Sequence, residues 1–219
     1  MNVMPGVKGK NRRRPYRSPL RAEMAHQTRQ RVTLAALQEF LEQGYAGTTI
    51  ERIAARAEVS RPTVFAVGSK ATLLKLARDR AIAGDDDPRR MGERAGALAV
   101  ADAPDAEEAL RRFARMSAGI AARFASLNEV LREGAASDPE LAQLWQTSEA
   151  ERLTAARTTI ETVIGKGPLR SGLDPETATD VLWLLMSPEN HHRLVGERGW
   201  TFERYETWYG DTMIRLLLR

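Results

Sequence analysis

Residues 46–75 read AGTTIERIAARAEVSRPTVFAVGSKATLLK. Ile50, Ile53, Ala54 and Ala57 recur at helical spacing behind Thr49, whose side-chain oxygen suits a helix start, and Glu51 adds negative charge to the first turn. Glu58 and Val59 supply a turn. Ser60 is a second capping residue, and Pro62 falls in the first turn of the next helix, where a missing N–H costs nothing. Two short helices with a short turn between them predict a helix-turn-helix. Its second helix opens with Ser60, Arg61 and Thr63, groups suited to phosphates and base edges.

Upstream, residues 25–43 carry the apolar stripe Val32, Ala35, Ala36, Leu37, Phe40 and Leu41, with Gly44 as a stop. This helix is a scaffold: Phe40 and Tyr45 are expected under Ile50 and Ile53. Downstream, Ser69 caps a helix through Leu73, Leu74, Leu76 and Ala77 to about Ala83. Lys70 stands at its positive N-terminal end, an unfavourable place for a cation that makes sense if Lys70 faces a phosphate. Before the scaffold, residues 1–24 hold Lys8, Lys10, Arg12, Arg13, Arg14, Arg17 and Arg21 against Glu23, with Pro5, Pro15 and Pro19 interrupting any helix. They read as a flexible basic arm, which either follows a DNA backbone or serves as a solubilising extension.

Charge is separated along the chain. Residues 1–82 contain 16 Lys and Arg against 6 Asp and Glu, whereas the remainder holds 17 against 23, within an overall net charge of +4. A basic excess beside a helix-turn-helix suits a polyanion, because each neutralised phosphate releases counterions. There is no cysteine, which excludes disulfides, thiolate catalysis and cysteine-ligated zinc. With no bilayer-length apolar run and no apolar segment behind the basic N-terminus, a soluble cytoplasmic protein is expected, without a membrane partner.

The segment TTIERIAARAEVSRPTVFAVGSKATLLK resembles the DNA-binding domain of the TetR family of transcriptional regulators. The similarity covers about 55 residues in the notation of pattern order: the helix ending FLEQGYAGTTI, the IA-x-x-A-x-V-S segment, the T-V-F centre of the recognition helix and the G-S-K that opens the next helix. The resemblance implies a homodimer with two heads, helical C-terminal regions that pair, and a small-molecule cavity in each subunit whose occupancy changes the spacing of the heads. One departure stands out. Relatives usually carry a further aromatic before the Gly-Ser-Lys, whereas here Ala66 and Val67 run directly into Gly68, and Val67 is expected to fill the vacated space.

The remainder predicts helices with short breaks. Residues 84–104 read as a linker with a short helix near 91–100. Helices are then expected over 105–124 and 126–136, over 139–165, from Asp174 until Ser187-Pro188 disrupts it, and over 201–218. The last two carry enough apolar and aromatic surface to predict a four-helix interface, two helices from each subunit. The fold class is therefore all-α: a flexible basic arm (1–24), a helix-turn-helix domain with its connecting helix (25–83), and a helical regulatory and dimerisation domain (84–219).

No catalytic constellation stands out, and no enzyme activity, cofactor or metal is expected. Asp85, Asp86 and Asp87 are consecutive carboxylates that do not converge by themselves, and the adjacent His191 and His192 point apart on a helix. The DNA-binding set is Thr49, Ser60, Arg61, Pro62, Thr63, Val64, Phe65 and Lys70, the partner a double-stranded operator. Phe113, Met116, Ile120, Phe124, Leu127, Leu131, Trp145 and Trp183 are candidate lining for an unidentified small-molecule ligand, with Asn128, Arg132, Asn190 and His191 as polar specifiers. The function expected is a repressor released from its operator by that ligand. The alternative is a helical protein–protein adaptor that keeps the helix-turn-helix shape without effective DNA binding.

Overall fold

In the computed structural model, which describes residues 19–85 and 89–219, every regular element is helical. The head is framed by α1 (Pro19–Gly47), broken at Gly44, whose φ of 66° lies in the left-handed region that a glycine adopts without strain. The helix begins earlier than its apolar stripe predicts: residues 19–24, expected in the arm, are its first turns, and a proline there forfeits no hydrogen bond. The rest of the arm, residues 1–18, lies outside the described residues, as do Asp86 and Asp87.

Three short-range caps then set three helix starts. Thr49 accepts from the Arg52 N–H to open α2 (Ile50–Arg56), Ser60 from the Thr63 N–H to open α3 (Arg61–Val67), and Ser69 from the Thr72 N–H to open α4 (Lys70–Ala83). Between α2 and α3 the chain reverses at Glu58, the one described non-glycine residue with a positive φ, at 53°. Val32, Ala36, Phe40, Ile53, Val64, Leu73 and Leu74 are completely buried where these helices meet. At the end of α3, Val67 packs on the same core, and the Gly68 N–H donates to the Val64 carbonyl at 3.2 Å. A Cβ on Gly68 would stand 2.5 Å from Thr72 Cγ2, so the short exit closes by backbone approach in place of an aromatic ring.

A single 3₁₀ turn (Met91–Glu93) and α5 (Ala95–Ala101) lead into α6 (Ala106–Ala135) and α7 (Pro139–Ile164). The expected break near residue 125 is absent. Phe124, Ala125, Leu127, Asn128 and Leu131 carry one buried face past the exposed Ser126, and α6 runs unbroken for 30 residues. α8 (Pro175–Leu185) starts at its Asp174 cap as predicted. Ser187-Pro188 ends it but also starts α9 (Pro188–His191), which continues into a π-helical turn (His192–Glu197), a segment the sequence left unassigned. α10 (Phe202–Leu217) completes the chain.

Two cores form. One runs through the head and on into Phe124, Leu127, Val130 and Leu131 of α6 and Leu141 and Leu144 of α7. The other joins Leu110 and Phe113 to Ile160, Val163, Leu182, Tyr205, Tyr209, Met213 and Leu217. The expected division between residues 83 and 84 is therefore no division of the core: the head is built onto α6 and α7.

Candidate nucleic-acid interface and regulatory core

α3 is anchored by one side chain and presents its neighbours. Val64 is fully buried, while Phe65 beside it is 57% exposed and Ser60, Arg61 and Pro62 face solvent. Val64, expected in the DNA-binding set, belongs instead to the head's core; a seven-residue helix needs such an anchor, and the side chain that supplies it cannot reach a groove. Thr63 is half-buried, its hydroxyl 2.8 Å from Ser60 Oγ. Thr49 is exposed, and its hydroxyl oxygen accepts from the Arg52 N–H at 3.3 Å. Arg61 Nη2 lies 2.7 Å from Glu51 Oε1, an ion pair that joins the starts of α2 and α3.

Lys70 departs from its expected role. Its ammonium donates to the Tyr45 carbonyl at 2.9 Å and the Thr48 carbonyl at 3.2 Å, and lies 4.1 Å from the centroid of the Tyr45 ring. The cation at the positive end of α4 thus sits on the carbonyls that finish α1, which compensates locally for its place on the helix dipole. Loss of hydration pushes its pKa down. Lys70 ties helix to helix, and two of its three donors are spent before any phosphate arrives.

Two further groups hold the head: Glu39, which was not singled out in the sequence, and the hydroxyl of Tyr45, which was expected there only for its packing. Glu39, 3% exposed, accepts from Arg52 Nε at 2.7 Å and Arg56 Nε at 2.6 Å. These guanidinium hydrogen bonds, Arg52's first, hold its carboxyl below the usual range against the opposing effect of burial. A charged residue between Ala36 and Phe40 on an apolar stripe was the available signal. Tyr45 Oη donates to Asp138 Oδ2 at 2.7 Å. Asp138 also caps α7 through the Glu140 and Leu141 N–H groups, and the Tyr45 hydroxyl leads the interactions that lower its pKa.

The eight expected pocket residues do not converge. Phe124, Leu127, Leu131 and Trp145 belong to the core shared with the head, Phe113, Met116 and Trp183 to the second core, and Ile120 is half-buried. Phe113, Phe124, Leu127 and Leu131 are packed tightly enough to be core rather than wall. Two open grooves lie elsewhere, along α7 from Gln143 to Thr154 and where the start of α6 meets Lys166 to Pro168.

A polar group of side chains does gather between α6, α7, α8 and α9. Asn128 Nδ2 donates to Glu189 Oε1 at 3.1 Å, the Ser187 hydroxyl to the other Glu189 oxygen, and Arg152, paired with Glu149, stacks 4.7 Å from the Trp183 ring. Trp183 Nε1, Arg152 Nε and His191 Nε2 are buried without a hydrogen-bond partner. His191 meets the Tyr205 ring edge-on at 4.9 Å, and burial holds its pKa below the ordinary value. Of the expected polar specifiers, Arg132 turns outward to Glu129, and Asn190 donates to the Leu184 and Leu185 carbonyls.

Residues 32–76, from within α1 to within α4, match the family model described as bacterial regulatory proteins, tetR family. This is a tetR-family head. The tetR-like fold extends through the body. A TetR transcriptional regulator from Chloroflexus aurantiacus is 21% identical, with 89% of this chain and 98% of that one covered at a TM-score of 0.65. NalD, the secondary repressor of the MexAB-OprM multidrug efflux pump in Pseudomonas aeruginosa, is 21% identical over 89% of this chain and 98% of its own, with a TM-score of 0.63. The SmeT structure, a complex with triclosan, is 19% identical over 88% of this chain and 92% of its own, with a TM-score of 0.64. No curated protein matches the sequence. Within the tetR family frame, α1 to α4 form the head and α5 to α10 the helical body. No described helix is long and apolar enough to cross a membrane.

Proposed function

We propose that the chain is a DNA-binding transcriptional repressor that leaves its operator when a small molecule binds the body. The observation that carries this reading is the two-sided build of α3: Val64 is locked in the core while Phe65, 57% exposed, stands outward beside Arg61 and Pro62. An aromatic ring held in water on a rigid helix suits apolar contact with a thymine methyl or deoxyribose in the major groove, and Arg61 suits a guanine edge. Ser60, Thr63 and Thr49 lie alongside for the backbone. Residues 1–24 add sequence-independent attraction.

Release by a ligand draws support from the core that the head shares with α6 and α7. The unsatisfied nitrogens of Trp183, Arg152 and His191 favour the space between α7, α8 and α9 as the ligand's place, because a bound polar molecule would satisfy donors that the closed body leaves alone. The SmeT complex gives a precedent for a small molecule on this fold. A second copy pairs through α8 and α10, whose Leu184 and Leu216 remain 63% and 40% exposed, while Tyr205, Tyr209, Met213 and Leu217 are absorbed within the subunit.

Titration against the upstream intergenic DNA at several salt concentrations tests the reading. Tight binding with a steep salt slope is expected, whereas binding no stronger than to random duplex leaves the helical adaptor as the better account. A ligand that weakens DNA binding is itself bound more weakly when DNA is present, by the same factor.

A further inference from the structure

α3 contains one cation, Arg61, and the nearby cations of the head are already engaged: Arg52 and Arg56 on Glu39, Lys70 on the carbonyls that end α1. How Arg61 is held therefore governs what the recognition helix reads. An unrestrained guanidinium at this place finds a phosphate as readily as a base, and phosphate contacts carry no sequence information. Its partner Glu51 has local contacts of its own. Thr49 Oγ1 accepts the Arg52 N–H while its hydroxyl serves the Glu51 carboxylate, which also receives the Glu51 backbone N–H. The pair is open to solvent, with Arg61 59% and Glu51 54% exposed, so it biases the arginine without locking it.

A carboxylate on a face that meets a polyanion repels it. Its place 2.7 Å from Arg61 Nη2 gives that repulsion a use. We propose that Glu51 is a positioning residue for sequence reading: it keeps the Arg61 guanidinium off the phosphates and leaves its Nε and Nη1 donors facing the groove, so that Arg61 discriminates between base pairs in place of adding general affinity. This inference rests on the DNA-binding function proposed above.

The test compares wild type, Glu51→Gln, Glu51→Asp, Arg61→Ala and the Glu51→Gln/Arg61→Ala double variant. Each is titrated at several salt concentrations with a duplex that the wild-type protein enriches from a random pool, and with a scrambled duplex of equal length. Glu51→Gln is expected to bind the scrambled duplex more tightly, to steepen the salt slope by about 1, and to lower the preference ratio by about tenfold. Glu51→Asp keeps the charge at the start of α2 but falls a methylene short of Arg61, so the released guanidinium lowers the ratio and steepens the slope as in Glu51→Gln; it supplies the test if Glu51→Gln fails to fold. In the Arg61→Ala background, Glu51→Gln leaves the ratio unchanged. Unaltered preference in both single Glu51 variants overturns the positioning role. A loss of preference by Glu51→Gln that persists without Arg61 overturns it too. Wild-type protein that enriches no sequence overturns the DNA-binding function, and this inference with it.

Discussion

Tyr45 of the head and Asp138 at the start of α7, 93 positions apart in the chain, meet through a 2.7 Å hydrogen bond. The same carboxylate caps α7, so one side chain joins the end of α1 to the turn between α6 and α7. Tyr45→Phe leaves Asp138 without its leading partner and is expected to cost about 2 kcal/mol at neutral pH, read by denaturant unfolding. Because the folded-state pKa of Asp138 lies below its ordinary 3.8, the contribution is present above that pH and lost as the pH falls through the folded value. Destabilisation that stays the same as the pH falls through the folded-state value would exclude the ionised hydrogen bond as its source.

Glu39 makes a parallel case inside the head. Truncation by Glu39→Ala takes from Arg52 its carboxylate and leaves Arg56 with Glu42 alone, and is expected to cost about 3 kcal/mol, at the low end for a buried pair because both arginines reach solvent. The depressed carboxyl pKa means that this stability is complete above 4.5 and fades as the pH drops through the folded value. Melting curves of wild type and variant across that range are expected to converge on the acid side.

Two glycines of α6 predict opposite signs for one substitution. A Cβ at Gly134 would stand 2.5 Å from Leu141 Cδ1 and 3.3 Å from Tyr45 Cγ, so Gly134→Ala is expected to cost about 2 kcal/mol through overpacking. At Gly119 the nearest atom is the end of the Arg123 side chain at 3.7 Å, and Gly119→Ala is expected to gain up to about 1 kcal/mol from helix propensity. Thermal denaturation of the pair checks both; two losses would mean that helix propensity does not govern Gly119.

Glu58 turns the chain between α2 and α3 at a φ of 53°. A left-handed residue with a Cβ costs roughly 1–2 kcal/mol, and the added freedom of an unfolded glycine returns part of that, so Glu58→Gly is expected to stabilise the fold by about 1 kcal/mol. An unchanged or lower melting temperature would show that the strain is relieved elsewhere.

The helices of the head were legible because their signals are local: Thr49, Ser60 and Ser69 each cap a helix within three residues, and Gly44 stops one. What a single side chain does across the fold was less legible. Val64 and Phe65 are adjacent and both apolar, and only the placement of α3 on α1 and α2 decides which is buried. Lys70 read as a phosphate ligand because its nearest dipole was visible while the carbonyls of Tyr45 and Thr48, more than 20 positions upstream, were not. The pocket failed for the same reason: Phe113 to Leu131 share the stripe of one helix, but α6 is long enough to serve two cores, and periodicity does not say which.

The core that runs from the head into α6 and α7 means that this head is not a detachable module. Grafted onto another body, it would lose the floor supplied by Phe124, Leu127 and Leu131 and the anchor offered by Asp138, and a foreign α6 would have to restore both surfaces together. A substitution on the buried face of α6 is therefore felt at both ends of the molecule, since the same helix carries residues of the head's core and of the second core.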